Sequence, residues 1–308
     1  GQFGASTLWS VTFNGSHYKN KIVQIDNLGT QSFIGPIALR EQNPVINMLD
    51  QPIGSFYGLV ADGYYLDSAD AAAHWNSGAR PGRIKFRDLN GDNAITSADR
   101  DIIGSPHPDF TGGLDLAVRH GAWEVSATLF GSFGGQIFNS QKYWYVFRYF
   151  DTNVVDDRLA NSAELDDRCN PVAPPPLSPP GTQPTWPCPG AVVNPGAKYP
   201  RLDGGDAFSR QFSSYWIEDG TYVRLRTLQI GYNLPPALIR WIPAARVYLQ
   251  AENLFTISGY SGLDPSLPAA SVFRDAAQQL DIRDQFRGVD QGSYPSNRTF
   301  TIGITTTF

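Results

Sequence analysis

The chain has 308 residues and a formal net charge of -5, and a pI near 5.3 leaves no basic footprint for nucleic acid. With Gly 30, Pro 23, 13% aromatics and a single methionine, the composition favours many short strands joined by turns over long helices. Mean hydropathy is -0.28, and no apolar run approaches the roughly 18 residues that a membrane-spanning helix needs. That excludes a helical span but not a strand barrel, whose alternating residues average to near-neutral hydropathy.

The opening GQFGASTLWS carries no signal peptide and enters strand-like alternation at once, as expected of a mature chain or a piece of a longer one. Over Thr7–Asn14, Trp9, Val11 and Phe13 alternate with Ser10 and Thr12, the period of a strand with one apolar face. Residues 88–99 read DLNGDNAITSAD. Asp88, Asn90 and Asp92 take positions 1, 3 and 5 of a calcium loop, Ala94 offers its carbonyl at 7, and Thr96 and Asp99 fall at 9 and 12. Calcium takes six to eight converging oxygens, and this spacing supplies them. Asn93 stands where the template has glycine, and Asp99 where it has a bidentate glutamate. An Asp/Asn-rich turn without metal is the alternative; the expectation is a structural calcium site.

Two strands follow. In Phe110–Arg119, Leu114, Leu116 and Val118 oppose Asp115 and Arg119. After a tight turn at His120–Gly121, Trp123, Val125, Ala127 and Leu129 oppose Glu124, Ser126 and Thr128. Asp156, Asp157, Asp166 and Asp167 read as a solvated acidic loop. Residues 169–200 hold 11 of the 23 prolines, which excludes sheet interior and suggests a polyproline-like surface segment. Cys169 and Cys188 enclose most of it. A disulfide stapling an exposed loop in an oxidising compartment is the expectation, with two free thiols the alternative.

Tyr222–Asn233 alternates again, but its phase slips between Leu225 and Leu228, which a β-bulge explains. LPPALIRWIP (234–243) suits one helical turn or a plain loop, with Leu234, Leu238 and Trp241 on one face. In Arg246–Phe255, Val247, Leu249 and Ala251 oppose Gln250 and Glu252. The terminal RTFTIGITTTF puts Phe300, Ile302, Ile304 and Phe308 on one face and threonines on the other.

These strands run about ten residues, and at about 3.3 Å per residue and a tilt near 45° they cross roughly 23–25 Å. That is the height of an outer-membrane apolar band. Short and long connections alternate, which argues against a compact soluble domain. Trp9, Trp123, Trp144, Trp216, Tyr222, Tyr232 and Trp241 lie near strand ends, as in the aromatic girdles of membrane barrels. Enzyme signatures are scarce: the four histidines are scattered, and GxSxG, HExxH, P-loop and GxGxxG patterns are missing. His107, in SPHPDF, reads as a loop residue.

The segments IGSFYGLVADGYY (53–65), RIKFRDLNGDNAITSADRDIIGSPHPDFTGGLDL (83–116), WIEDGTYVRLRTLQIGYNLP (216–235), RVYLQAENLFTISGYSGLDP (246–265) and GSYPSNRTFTIGITTTF (292–308) closely resemble, in order and spacing, the C-terminal region of SusC/RagA-type TonB-linked outer-membrane transporters. The resemblance implies an all-β fold, an antiparallel transmembrane β-barrel of 22 strands around an N-terminal plug, with long extracellular loops and short periplasmic turns. It implies import of oligosaccharides or peptides across the bacterial outer membrane, driven through TonB and assisted by a SusD-type lipoprotein lid. Six spanning strands cannot close such a barrel, so residues 1–308 are expected to be its C-terminal portion. Asp115, Arg119, Glu124 and Glu252 would face the lumen, and residues 133–221 and 256–297 would be extracellular loops meeting substrate or lid. The last strand, with Phe300, Ile302, Ile304 and Phe308, would be the signal read by the barrel-assembly machinery. Two competing readings remain: a soluble extracellular β-sandwich that binds carbohydrate and calcium, and a secreted glycoside hydrolase. The sandwich requires Leu114, Val125, Leu249 and Ile304 to pack beneath a second layer.

Overall fold

Extended backbone sends successive side chains to opposite faces, so an apolar strand face needs either a covering layer or an apolar solvent. The computed structural model of the chain describes residues 1–4, 6–34, 43–147, 153–166, 192–203, 205–235, 244–267 and 287–307. The alternating stretches form six long strands: β1 (Thr7–Ser16), β2 (Phe110–His120), β3 (Trp123–Phe133), β4 (Tyr222–Leu234), β5 (Ala244–Ser258) and β6 (Thr299–Thr307). They lie in chain order in one antiparallel sheet, with the short strand Gln2–Phe3 outside β1. The expected helical turn at 234–243 falls mostly outside the described residues, as do Trp241, Phe308 and both cysteines.

Pairing register carries single rows of side chains across the whole wall. Trp9, Val118, Val125, Ile230, Leu249 and Ile302 are successive cross-strand partners, and so are Val11, Leu116, Ala127, Leu228, Ala251 and Phe300. Alternating with these apolar rows, on the opposite face, run Ser10, Ala117, Ser126, Gln229, Gln250 and Thr301, then Thr12, Asp115, Thr128, Thr227, Glu252 and Thr299. Among the described residues no second layer seals the apolar face: Val125 is 39% exposed, Leu249 47% and Ile304 69%, while Leu114 is half-buried. The sandwich reading fails on this observation.

The phase slip in β4 is a β-bulge at Arg226. Thr128 pairs with Thr227 while the next residue, Leu129, pairs with Leu225, and the register toward β5 shifts at the same place. Alternation therefore reverses there. Leu225 stays with the apolar rows, and Arg224 turns to the polar side.

Because the sheet is an up-and-down meander, its connections divide by end. At one end β2 turns into β3 through Gly121, whose φ of +56° is open to glycine at no steric cost; residues 235–243 join β4 to β5 at that end too. At the other end leave three long excursions, 17–109, 134–221 and 259–298. Aromatic residues mark both ends of the apolar face, with Trp123 against Tyr232 at 4.8 Å and Phe110 between Phe13 and Phe133 at 6.4 and 6.2 Å. Ten residue steps separate Trp123 from Phe133, roughly 24 Å at a usual barrel tilt.

The buried core lies in the excursions rather than in the wall. They form a four-stranded sheet (Ser32–Ile34, Val45–Met48, Ser55–Leu59, Arg100–Gly104), a three-stranded one (Ile217–Asp219, Gln136–Asn139, Val289–Asp290) and a ribbon of Ala61–Tyr64 with Ile84–Phe86. Trp216 is fully buried at the centre of this cap, stacked on Phe138 at 5.9 Å and close to Phe147 and Phe212, with its indole N–H donating to the Gln211 carbonyl at 2.9 Å. Backbone bonds knit the excursions together, Leu59 to Phe212 at 2.9 Å and Phe138 to Gly288 at 2.8 Å. This corrects part of the aromatic assignment. Trp216 belongs to the cap core, Trp144 packs against it, and Tyr222 is buried; of the residues expected in girdles, Trp9, Trp123 and Tyr232 lie on the apolar face. Residues 133–221 also hold more than loop, since their ends carry part of this core.

Replacing Trp216 with alanine should cost about 3–5 kcal/mol and loosen the cap alone. Hydrogen exchange of the purified protein would show Phe138 and Leu59 amides accelerated and the β3–β4 ladder unchanged; equal acceleration of both would refute a separate cap core.

Candidate functional site

The polar face of the wall carries a continuous side-chain network. Glu124 sits between two guanidiniums, 3.5 Å from Arg119 Nε and 3.1 Å from Arg246 Nε, and accepts from Asn233 Nδ2 at 3.2 Å. Arg246 Nη2 donates to Gln229 at 2.7 Å, Gln229 Nε2 to Gln250 at 2.9 Å, and Gln250 Nε2 to Glu252 at 2.7 Å. Higher on the same face Thr128 donates to Asp115 at 2.7 Å. The row of small residues Ser10, Ala117 and Ser126 leaves a depression of about 310 Å³ beside Leu8, Arg119, Glu124 and Arg246. On this side also the Tyr248 ring lies over Gly303, where any Cβ would collide with it.

Strand alternation thus places the four residues expected to face a lumen, Asp115, Arg119, Glu124 and Glu252, on one face. Glu124 joins Arg119 directly; Asp115 bonds separately; Glu252 ends the chain of amides. Phe300, Ile302 and Ile304 lie exposed on the opposite face. Sequence reasoning left Arg246, Gln229 and Gln250 without a role, although each alternates with an apolar neighbour and so shared the signal that identified Glu124.

The cap holds a second polar cluster that no local pattern announced. Glu218 accepts from the Ser261 amide and hydroxyl, both at 2.8 Å, and from Asn139 Nδ2 at 3.0 Å, and pairs with Lys142 at 2.9 Å. Lys142 also donates to the Tyr215 carbonyl at 2.7 Å. Burial pushes the Lys142 ammonium below its ordinary value. Burial pushes Glu218 upward, but Lys142 and the Ser261 donors outweigh it and hold the carboxyl below its ordinary value. The four residues come from positions up to 122 apart in the chain, so only the assembled cap brings them together.

In the loop 88–99 the hydrogen bonds run to the loop's own backbone. Asp88 accepts from the Gly91 and Asn93 amides at 2.7 and 2.8 Å, and Asp92 from Ala94 at 2.8 Å. Asn93 takes a φ of +61°, the left-handed conformation that glycine supplies at this position of a calcium loop. Ile95 enters the cap core. Asp99 is fully buried, its carboxylate accepting from Leu89 at 2.9 Å and Thr96 at 2.8 Å as part of a capping box. Among the described residues no three His, Cys, Asp or Glu side chains converge where a metal would sit. Asp88, Asn90, Asp92 and the Ala94 carbonyl remain suited by type, whereas Asp99 is committed to the backbone. Of the expected acidic loop, Asp157 is tied to Lys198 and Tyr199, both at 2.8 Å, and His107 reaches the Ile53 carbonyl at 2.8 Å.

No family model matches the chain. It is 31% identical to TonB-dependent receptor P3 of Formosa agariphila over 97% of its own length and 27% of that protein's. It is 25% identical to TonB-dependent receptor P26 of the same organism, with the same coverage of both. To TonB-dependent receptor SusC of Bacteroides thetaiotaomicron it is 23% identical over 76% of this chain and 18% of SusC. The solved RagAB peptide transporter superposes on all of the chain and 28% of its own with a TM-score of 0.67 and 19% identity, a likeness of fold. The chain is thus similar to part of the length of TonB-dependent receptors. Its likeness to SusC in sequence and to RagAB in fold is that of a SusC/RagA-type fragment, and the chain spans about 27% of the length of the first curated relatives it matches.

The Glu218 cluster makes cap stability acid-sensitive. A carboxyl whose folded value lies below its unfolded value contributes stability above the unfolded value and loses it as pH falls through the folded one. Glu218→Gln should therefore lower the melting temperature at pH 7, and the difference from wild type should close as pH falls below about 4. A difference independent of pH would contradict this account.

Proposed function

We propose that the chain forms part of the wall and the extracellular cap of an outer-membrane barrel that imports oligosaccharides or peptides with energy delivered through TonB. The observation that carries this reading is the two-faced wall: unbroken apolar rows that no second layer covers among the described residues, backed by a hydrogen-bonded polar face. Apolar residues outward and polar residues inward are what a barrel between lipid and a polar interior requires. In this reading β6 turns Phe300, Ile302 and Ile304 to lipid and is recognised by the barrel-assembly machinery. The excursions 17–109, 134–221 and 259–298 stand outside the cell, and Asp115, Arg119, Glu124 and Glu252 line the interior. The transport step is gated passage rather than bond-making chemistry. SusC and RagAB as relatives support a SusD-type lipoprotein as the partner on the cap, and the bacterial outer membrane as the location.

Neighbouring residues on opposite faces test the membrane reading. Leu116→Arg should cost roughly 2–4 kcal/mol if it meets the middle of a bilayer, lowering outer-membrane abundance of the whole receptor. Ala117→Arg should leave abundance near wild type. Equal tolerance of both substitutions would remove the lipid from the argument. Uptake of labelled oligosaccharide or peptide that persists after the proton gradient is collapsed would remove TonB from it.

For the loop 88–99 we propose bound calcium held by Asp88, Asn90, Asp92 and the Ala94 carbonyl, with Thr96 at the ninth position and Asp99 bracing the loop. The ion would supply structural cross-linking of the turn. The left-handed Asn93 supports this reading, and Asp99's commitment to the backbone limits the ligand set. Calcium added to chelator-treated receptor should raise the melting temperature, and Asp88→Asn with Asp92→Asn should abolish the rise; no rise in the wild type would dismiss the site.

A further inference from the structure

The β-bulge at Arg226 has an effect that the rest of the wall does not explain. Unbroken alternation from Thr227 would turn Arg224 to the apolar side. Instead its guanidinium points to the polar side and is buried, 6% exposed. There it touches three separate pieces of chain. Nε donates to Thr256 of β5 at 2.8 Å. Nη1 donates to Ser266 at 2.8 Å and Ser296 at 3.1 Å, and Nη2 bonds Asp264 at 2.5 Å. Asp264 is itself buried and accepts from the Ser266 amide at 2.8 Å and the Ser296 amide at 3.0 Å. Ser266 lies where the third excursion departs and Ser296 where it returns.

We propose that Arg224 is a positioning residue for the third excursion, clamping its outgoing and returning legs to each other and to the β4–β5 hairpin through Asp264. The planar fork of arginine suits this place, because it serves several acceptors in fixed directions where an ammonium offers a single point of charge. Removing either partner of a buried pair leaves the other charge uncompensated, so the two legs stand or fall together. Burial pushes Asp264 upward, but the Ser296 and Ser266 amides and Arg224 hold it down at about 2, so the carboxylate stays ionised throughout the neutral range. A second buried carboxylate reinforces the same base: Asp290 accepts from Tyr260 at 2.5 Å and from the Gly292 amide at 2.8 Å, again joining the two legs. The clamp rests on this geometry alone and does not depend on what the receptor imports.

Hydrogen exchange of the whole receptor in detergent tests the proposal, with Arg224→Lys, Asp264→Asn and the milder Ser296→Ala compared against wild type. Exchange at Ser266 and Ser296 should accelerate roughly tenfold or more in the first two variants and less in the third. The amides of Phe138 and Leu59 in the cap core, and the heat-modifiable migration of the assembled barrel, should stay as in wild type. Unchanged exchange at both serines in Arg224→Lys would overturn the clamp. Acceleration spread equally over the cap would also overturn it, since it would show a general stabilising role. Should Arg224→Lys fail to assemble, Ser296→Ala decides: local acceleration at Ser266 supports the clamp, and none refutes it.

Discussion

Backbone pairing between neighbouring strands is the constraint from which the wall follows. Each of the six strands is bonded along nearly its full length to the next, and the register is such that like residues fall opposite like. A slip of one residue would throw an entire apolar set onto the polar face. The rows from Trp9 to Ile302 and from Ser10 to Thr301 therefore bind register and burial into one condition. The single tolerated slip, at Arg226, occurs above the fully polar rows and redirects a residue that has partners waiting for it.

This arrangement separates two tasks that a soluble domain performs with one core. The wall has no interior of its own; its side chains face outward on both sides and its cohesion is the ladder. The cap has an interior, built on Trp216, Phe138 and Phe56, and is held together by packing and by buried polar groups. The polar face of the wall is held differently again: Glu124 pairs with Arg119 and Arg246, and the amides of Gln229 and Gln250 pass a hydrogen bond between strands.

The wall was legible in the sequence because period-two alternation is a local signal that needs no knowledge of partners. Trp9, Val11 and Phe13, or Phe300, Ile302 and Ile304, announce their face unaided, and even the bulge showed as a broken phase between Leu225 and Leu228. The same signal set Asp115, Arg119, Glu124 and Glu252 on one side. The cap was illegible for the opposite reason. Its strands are two to five residues long, too short for a period to register, and its contacts join segments far apart. Trp216 next to a strand start looked like an interfacial aromatic, and only Gln211, Phe212 and Phe138 closing around it show otherwise. In the same way DLNGDNAITSAD announced donor types but not that Asp99 would spend its oxygens on Leu89 and Thr96.

The departure of all three excursions from one rim bears on how the molecule comes together. The cap core draws on Val45–Phe86, Phe138–Phe147, Tyr199–Trp216 and Val289, and the last of these is reached only just before the final strand. Contacts of such wide sequence separation close late and slowly. The early part of the cap's aromatic interior must therefore wait, unfinished and exposed to solvent, until the sequence has been delivered as far as Trp216. The stretch is vulnerable to misassembly in that interval, and the sparse charges along Ile137–Phe147 offer little protection while it lasts.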